Sequence, residues 1–525
     1  MVWDAWGIPT EHKPLSARVR GLLAQVFGVS GEPVARRDEG DVPLRESALT
    51  PAQRAGLVEV VGADNLSADH RDRLLHAGGK STPDLLRRRA EGPQDAPDAV
   101  VFPADHDQVL AVLAYCAEHA VAVVPFGGGT SVVGGVDPVR GRFDAVIALD
   151  LRRLDTITRI DPVSGTATLG AGLTGPRTEE LLGAHGLSLG HFPQSFEFAS
   201  VGGFAATRSS GQASAGYGRF DDMVQRLKIA TPSGTLELGR APASAAGPDL
   251  RELFVGSEGT LGVITEVTLR VHPVPEAVAY QAWSFPDFET GAAALRSVVQ
   301  AGAAPTVLRL SDEAETGINL ARSGDIGGNP IAGCLAITTV EGSAAHVAAR
   351  SAEANALLAA AGGTALGPAP AEEWEHGRFA APYLRDALLD VGVLCETLET
   401  ATTWSTVTAL KAKVTGVLTE ALGGQGTPPL VMCHISHTYP TGASLYFTVI
   451  AKQLDDPIAQ WQVAKHAVGD AIVAAGGTIT HHHAVGTDHR PWLPDEVGDL
   501  GVRVLRAVKA ELDPAGILNP GKLVS

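Results

Sequence analysis

At 525 residues the chain is long enough for two or three domains, each with a sizeable core. Its 41 Lys and Arg against 59 Asp and Glu give a formal net charge of -18, which excludes a nucleic-acid partner because phosphate backbones are held by clustered cations. The cysteines, at 116, 334, 395 and 433, contain no C-x-x-C pair and read as reduced core residues of a cytoplasmic protein. The Ala/Gly-rich, Lys-poor usage suggests a bacterial source.

In chain order, the opening MVWDAWGIPTEHKPLS has neither the basic nor the apolar region of a secretory signal. No apolar stretch further on reaches membrane-spanning length, so no transmembrane segment is expected. ARVRGLLAQVFGV (17 to 29) and ADHRDRLLHAGG (68 to 79) carry helical periodicity, and a mainly helical block over 1–95 is expected, closed by EGPQDAPDAV (91 to 100). From Ala99 the pattern changes: AVVFPADH reads as a strand, DQVLAVLAYCAEHA as an amphipathic helix and AVAVVPFGGG as a buried strand ending in a turn. Strands continue at FDAVIALDL (143 to 151), LDTITRID (154 to 161) and TATLGAGL (166 to 173), and this unit closes near His272-Pro273. Beyond Glu276, AVAYQAWSF (277 to 285), FETGAAALRSVVQAG (288 to 302) and TVLRLSD (306 to 312) read as strand, helix and strand of a second α+β domain. Apolar helices around 353 to 361 and 405 to 422 are suited equally to lining an apolar tunnel and to filling a core.

The turn in PFGGGTS (125 to 131) carries the first functional signal. Consecutive glycines permit positive φ and remove every Cβ, so backbone N–H groups can converge on an anionic oxygen, with Thr130 and Ser131 adding hydroxyls. It lacks the lysine of a P-loop and no helix-opening G-x-G-x-x-G follows. PQSFEFASVGGFAATRSSG (193 to 211) and GSEGTLGVITEVTLRV (256 to 271) again mix tight-turn glycines with hydroxyls beside strands. In this order the three segments resemble the FAD domain of the vanillyl-alcohol-oxidase/p-cresol-methylhydroxylase family. The resemblance implies an α+β fold: a two-subdomain PCMH-type FAD-binding domain over 96–274 and an FAD-linked oxidase C-terminal substrate or cap domain over 275–525. Its last segment, LDPAGILNPGKL (512 to 523), is expected to return to the FAD domain. It also implies FAD contacts at Pro125, Phe126, Gly127, Gly128, Gly129, Thr130 and Ser131, then at Gln194, Ser195, Phe196, Glu197, Phe198, Ala199 and Ser200. Further contacts are implied at Thr207, Arg208, Ser209 and Ser210, and at Glu258, Gly259, Thr260, Leu261, Gly262, Val263 and Ile264. With Phe126 before the glycines and no histidine beside it in sequence, the FAD is expected to be noncovalent.

Chemistry concentrates at His481, His482 and His483 in AAGGTITHHHAVGTDHRPW. On a strand over 479–483, His481 and His483 would share one face and His482 the other. Imidazole titrates near neutrality, which suits proton transfer between oxygens. His434 and His437, in CHISH, are residues of zinc-ligand type, but no fourth ligand or open-site pattern accompanies them and no metal is expected.

THHHAVG, ETLETATTW (396 to 404), TYPTGASLYFT (438 to 448), PYLRDALL (382 to 389) and VWDAWG near the start resemble the alkyldihydroxyacetonephosphate synthase branch, over almost the whole chain. That likeness implies exchange of the acyl group of acyl-dihydroxyacetone phosphate for a fatty alcohol, a redox-neutral step of ether-lipid synthesis. Tyr446 matches the tyrosine that moves a proton on substrate C1, Arg385 the arginine beside the flavin and substrate, and His481, His482 and His483 the essential triple histidine. The chain departs from the branch at Ala484-Val485-Gly486-Thr487, where Gly-Val-Gly-Lys is usual, and at CHISHTY, where an arginine and a glutamine are usual. Arg309 reads either as a compensating substrate-binding cation or as half of a structural ion pair. An FAD-dependent oxidoreductase of a 2-hydroxy acid or alcohol stands as the alternative, although the G-H-x-G-D-G-N and E-H-G-I-G segments of such enzymes are degraded here. A homodimer taking a small-molecule or lipid substrate, with transient contact at a membrane surface, is implied by the resemblance alone.

Overall fold

The computed structural model describes residues 1–34, 36–318 and 331–524. Strands Leu66–Ser67, Ala99–Val101, Ala145–Asp150 and Val121–Phe126 form one sheet, in that spatial order. Val121–Phe126 and Ala145–Asp150 run parallel and are buried along their length, which is why both read as unbroken apolar runs. The helix His106–Glu118, opened by the Asp105 side chain, buries Val109, Val112, Leu113 and Cys116 against them. A second sheet orders Ile157–Asp161, Thr166–Gly170, Val263–Arg270, Val224–Thr231 and Gly234–Leu238, all antiparallel. These two sheets are the two halves of the α+β unit that carries the glycine segments.

The larger sheet belongs to the second half of the chain. It orders Thr364–Gly367, Ala277–Phe285, Cys334–Gly342, Val307–Ser311, Leu430–Ile435, Gly442–Lys452 and Val393–Thr403, antiparallel throughout. Alternation along Gly442–Lys452 sends Leu445, Phe447, Val449 and Ala451 into a core shared with helices Phe288–Gln300, Val407–Gly423 and Pro457–Ala474. Ser444, Tyr446 and Thr448 consequently occupy the opposite face, the one that meets residues 192–217 of the first unit. The apolar helices resolve the same way: Ala354 and Leu358 of Ala344–Ala360, and Val407, Leu410, Val414, Leu418 and Leu422 of Val407–Gly423, are core rather than tunnel lining.

The regular structure of the N-terminal block is mainly helical, as expected. Helices Ala17–Phe27, Pro51–Val61, His70–Leu75 and Thr82–Arg89 are present, but long irregular stretches separate them and Leu66–Ser67 pairs with Val100 and Val101. Helical periodicity over 17 to 29 reported a packing stripe: Val19 and Leu23 bury against Leu388, Val391, Val393, Met432 and Ile450 of the second half. The irregular backbone is satisfied by side chains, as where Trp6 N–H donates to Asp386 Oδ2 at 2.6 Å and Lys80 Nζ donates to Val2 O at 2.5 Å. At the other end, Val123 N–H donates to Ile517 O at 2.9 Å and Asn519 N–H to Val123 O at 2.8 Å, so the last segment lies along the first sheet.

Candidate active site

The Val121–Phe126 strand delivers the glycine turn into a crowded junction. A Cβ on Gly127 would stand 2.3 Å from Ser200 Oγ, and one on Gly128 only 1.9 Å from Phe198 O. Gly259, at φ 72°, likewise brings its backbone against Pro125, where a Cβ would lie 2.7 Å from the ring. Three segments far apart in sequence therefore meet where only glycine fits. Among the described residues none accepts a hydrogen bond from the amides of Gly127, Gly128, Gly129 or Thr130, and the Gln194 amide nitrogen and Ser257 hydroxyl are buried without a partner. Free donors over a floor without Cβ atoms fit a pyrophosphate, and FAD is the cofactor this cradle suits. Asn519 Nδ2 locks it from behind, donating to Gly135 O at 3.0 Å and Glu258 O at 2.6 Å.

The expected FAD residues divide into those that form this surface and those turned from it. Glu258, in left-handed backbone at φ 52°, accepts from Gly486 N–H at 2.9 Å and Val485 N–H at 3.1 Å, joining the cradle to the histidine run. Burial pushes its carboxyl up to about 7 against those two donors. Ser131 Oγ accepts from Gly135 N–H at 3.0 Å and so shapes the turn itself. Arg208 is tied to Asp221, Glu252 and Val255 O, Glu197 is exposed, and Leu261, Val263 and Ile264 point into cores. Ser209 and Ser210 turn to His191 and His437 respectively. A histidine does stand beside Phe126, contrary to its absence in the local sequence: the His76 ring is 4.3 Å from it. Both His76 nitrogens are engaged, with Asp72 O at 2.6 Å and Asp150 Oδ2 at 2.8 Å.

On the cap sheet, register assembles the second part of the site. Glu399 on Val393–Thr403 lies opposite Tyr446, which lies opposite His434 on Leu430–Ile435, which follows Ser311 across the next pairing. The His434 and Tyr446 rings stack at 4.9 Å, and His482 stacks beyond at 6.1 Å from Tyr446. The histidine run is not the strand its pattern suggested. Glu399 accepts from the backbone N–H groups of His481, His482 and His483 at 2.6, 3.2 and 3.0 Å, and from the Thr480 hydroxyl at 2.6 Å. Those amides serve one carboxylate instead of a ladder, so the three rings cluster rather than alternate. Tyr439 hydroxyl meets His481 Nε2 at 2.6 Å, and His481 Nδ1 lies 3.0 Å from His482 Nδ1.

Electrostatics follow from this burial. Desolvation lowers His482, lowers His481 and His437 well below the ordinary imidazole value, and takes His483 to about 3, so all are neutral at pH 7. Burial would raise Glu399, but at the acidic pH where it titrates the charges of protonated His482, His483 and His481, with the Thr480 hydroxyl, outweigh burial and hold the carboxylate well below its usual range. Burial raises the Tyr446 phenol to about 12, opposed by Thr397 and the charge of Arg385. Arg385, on the helix Ala381–Leu389, is itself fixed by Lys80 O at 2.6 Å and by Asp386 Oδ1 at 2.9 Å. Arg309 resolves as an ion pair with Glu315, whose other oxygen accepts from His434 Nδ1 at 2.8 Å, so its charge is compensated within the protein.

Three contributors escaped the sequence reading. Glu399 sat in ETLETATTW, where its one signal was an acid within a β-branched run whose neighbours bury; such a group requires donors. Tyr439 had no signal beyond its motif. Lys465, from mid-helix in Pro457–Ala474, reaches His489 Nε2 at 2.6 Å behind the histidines and is lowered by burial.

Comparison with known proteins agrees with this geometry. Residues 97–239 match the FAD binding domain family and residues 274–523 the C-terminal domain of FAD linked oxidases. The chain is 35% identical to an alkyldihydroxyacetonephosphate synthase of Dictyostelium discoideum, over 88% of this chain and 79% of that one. It is 31% identical to that of Trypanosoma brucei brucei, over 99% and 92%. A solved alkyldihydroxyacetonephosphate synthase structure superposes with a TM-score of 0.85 at 30% identity, covering 99% of this chain and 98% of the other. With an FAD cradle and a cap domain that follow the same plan from end to end, the chain belongs to the alkyldihydroxyacetonephosphate synthase family of FAD-dependent enzymes.

Proposed function

We propose that the protein exchanges the acyl group of acyl-dihydroxyacetone phosphate for a fatty alcohol. The bond from C1 to the acyl oxygen breaks, one from C1 to the alcohol oxygen forms, and a fatty acid leaves, with no net oxidation. FAD, when bound, supplies an electrophilic ring that takes up and returns an electron pair. Everything else falls to the chain. Tyr446 moves a proton at C1, and because burial keeps it a neutral phenol at pH 7 it accepts that proton only as its own passes on; the neutral imidazoles of His481, His482 and His483 accept the proton of the incoming alcohol; Arg385 is the cation placed for the substrate phosphate or the flavin. Both arginines are already paired with a carboxylate, Arg385 with Asp386 and Arg309 with Glu315, so pairing does not separate them as substrate-binding cations.

The observation that carries this reading is the single carboxylate of Glu399 gathering three neutral histidines, two of which, His482 and His483, have their rings 6.1 and 5.7 Å from that of Tyr446. Anaerobic mixing with palmitoyl-dihydroxyacetone phosphate tests it: the flavin bleaches, and hexadecanol then restores it and yields alkyl product. Reduction of the flavin by a 2-hydroxy acid or alcohol, with a carbonyl product, would establish the oxidoreductase instead. The division into 1–95, 96–274 and 275–525, noncovalent FAD, a homodimer, and a cytoplasmic bacterial enzyme that touches membranes transiently are part of the same proposal. Support for noncovalent FAD is that His76 has both nitrogens engaged, and acid precipitation that leaves the yellow colour in the supernatant is the expected outcome. Among the described residues no helix is long and apolar enough to cross a membrane.

A further inference from the structure

His434 and His437 do not act as the pair their spacing suggested. His434 is committed to Glu315, whereas His437 turns toward the histidine run, its ring 5.1 Å from that of His481 and 5.3 Å from that of His482. One ring nitrogen from each of His437, His481 and His482 lies within 4.8 Å of the others. We infer that these three imidazoles form a binding site for a divalent cation of the zinc type, and that its occupancy blocks the enzyme.

Two of the three rings are already oriented by their second nitrogen. Ser210 and Ser214 hydroxyls lie 3.1 and 2.7 Å from His437 Nδ1, leaving Nε2 for a ligand. Tyr439 hydroxyl lies 2.6 Å from His481 Nε2, leaving Nδ1. This is the outer support that metal-binding imidazoles require. His481 Nδ1 and His482 Nδ1 are 3.0 Å apart, close to the edge of about 3.3 Å that metal–nitrogen bonds of about 2.0 Å give in a tetrahedron. With its ligand nitrogen within 4.8 Å of the other two, the His437 ring must close in by up to about 1.5 Å to complete it. Glu399, with an oxygen 3.5 Å from His482 Nδ1, supplies a nearby negative charge. Imidazole donors without a direct carboxylate favour zinc, cobalt, nickel or copper over magnesium and calcium. His437 completes the set, and it stands where the sequence departs from the usual pattern of its branch. A lone pair that holds a metal cannot accept the alcohol proton, so the cation is an inhibitor.

The test is titration of the FAD-loaded, chelator-treated protein with Co²⁺, reading d–d absorption to the red of the flavin bands. A saturable band at one equivalent, displaced by Zn²⁺, is expected. His437→Gln should abolish it while retaining FAD and the parent melting temperature. The double variant Ser210→Ala/Ser214→Ala, which keeps all three ligands, should weaken binding by about 10–100-fold. No band at one equivalent, or an unchanged affinity in both variants, overturns the site. The inhibitory consequence rests on the proposed role of the histidines and is read separately: Zn²⁺ should stop turnover of the parent and be reversed by chelator. Stoichiometric Co²⁺ binding without inhibition would overturn that role while leaving the ligation standing.

Discussion

At Gly127–Gly129 the chain presents amides and no side chains, whereas at His481–His483 the amides are taken up by Glu399 and the side chains are left for chemistry. Both are clusters of converging N–H groups, and each needs an anion. In the cradle that anion arrives with the cofactor; on the cap sheet it is built into the neighbouring strand. The difference explains why glycine dominates one and side chains the other. A bound pyrophosphate needs room for close approach, and an internal carboxylate needs a register that places it under three consecutive residues, as the pairing of Glu399 with Tyr446 does.

Breaking the two halves separately should therefore separate holding FAD from using it. The largest effect is expected from Tyr446→Phe, which removes one oxygen from a stacked ring: turnover should fall by about 10²–10⁴-fold, the range for a positioned acid–base group, with the protein still yellow. Single-turnover kinetics with retained FAD absorbance checks this. Next, Glu399→Gln removes the anion beneath the histidines and turns an NH₂ group toward their amides. A loss of about 1.5–3 kcal/mol in denaturant unfolding is expected, the scale for hydrogen bonds to a charged acceptor, along with loss of turnover.

Gly128→Ala addresses the cradle. Its new Cβ would collide with Phe198 O at 1.9 Å, so the turn must shift, at about 1–3 kcal/mol, and FAD should dissociate on gel filtration. If instead Glu399→Gln releases FAD and Gly128→Ala does not, the division of labour is reversed.

This comparison also shows what could be read from the sequence. Cradle positions were legible because backbone chemistry leaves glycines at fixed places, and strands such as Ala277–Phe285 and Val121–Phe126 fell where alternation or apolar runs put them. The histidines were legible as residues but not as geometry. Strand alternation was overruled by a carboxylate 82 residues away in sequence from His481, a contact no local period can report. His76 beside Phe126 and His437 beside His481 are misses of the same kind, each made by packing between distant segments.

The smallest effect concerns pH. Burial takes His191, His483 and His489 to about 3, so below about 6.5 the unfolded chain binds protons that the folded one refuses, and their contribution to stability is lost as pH falls. Glu396, raised by burial to about 7, works in the other direction, because the folded state takes its proton first. Glu396→Gln removes that compensation, and unfolding free energies at pH 7.5 and 5.5 should fall more on acidification in the variant than in the parent.

The central claim is that both halves serve a redox-neutral exchange at C1. Turnover of acyl-dihydroxyacetone phosphate with a heavy-oxygen-labelled fatty alcohol, without oxygen or any electron acceptor, tests it most directly. Repeated turnover with the label retained in the ether and one fatty acid released per product is the predicted result; absence of ether, with the alcohol recovered as a carbonyl compound only when an electron acceptor is added, would contradict the account.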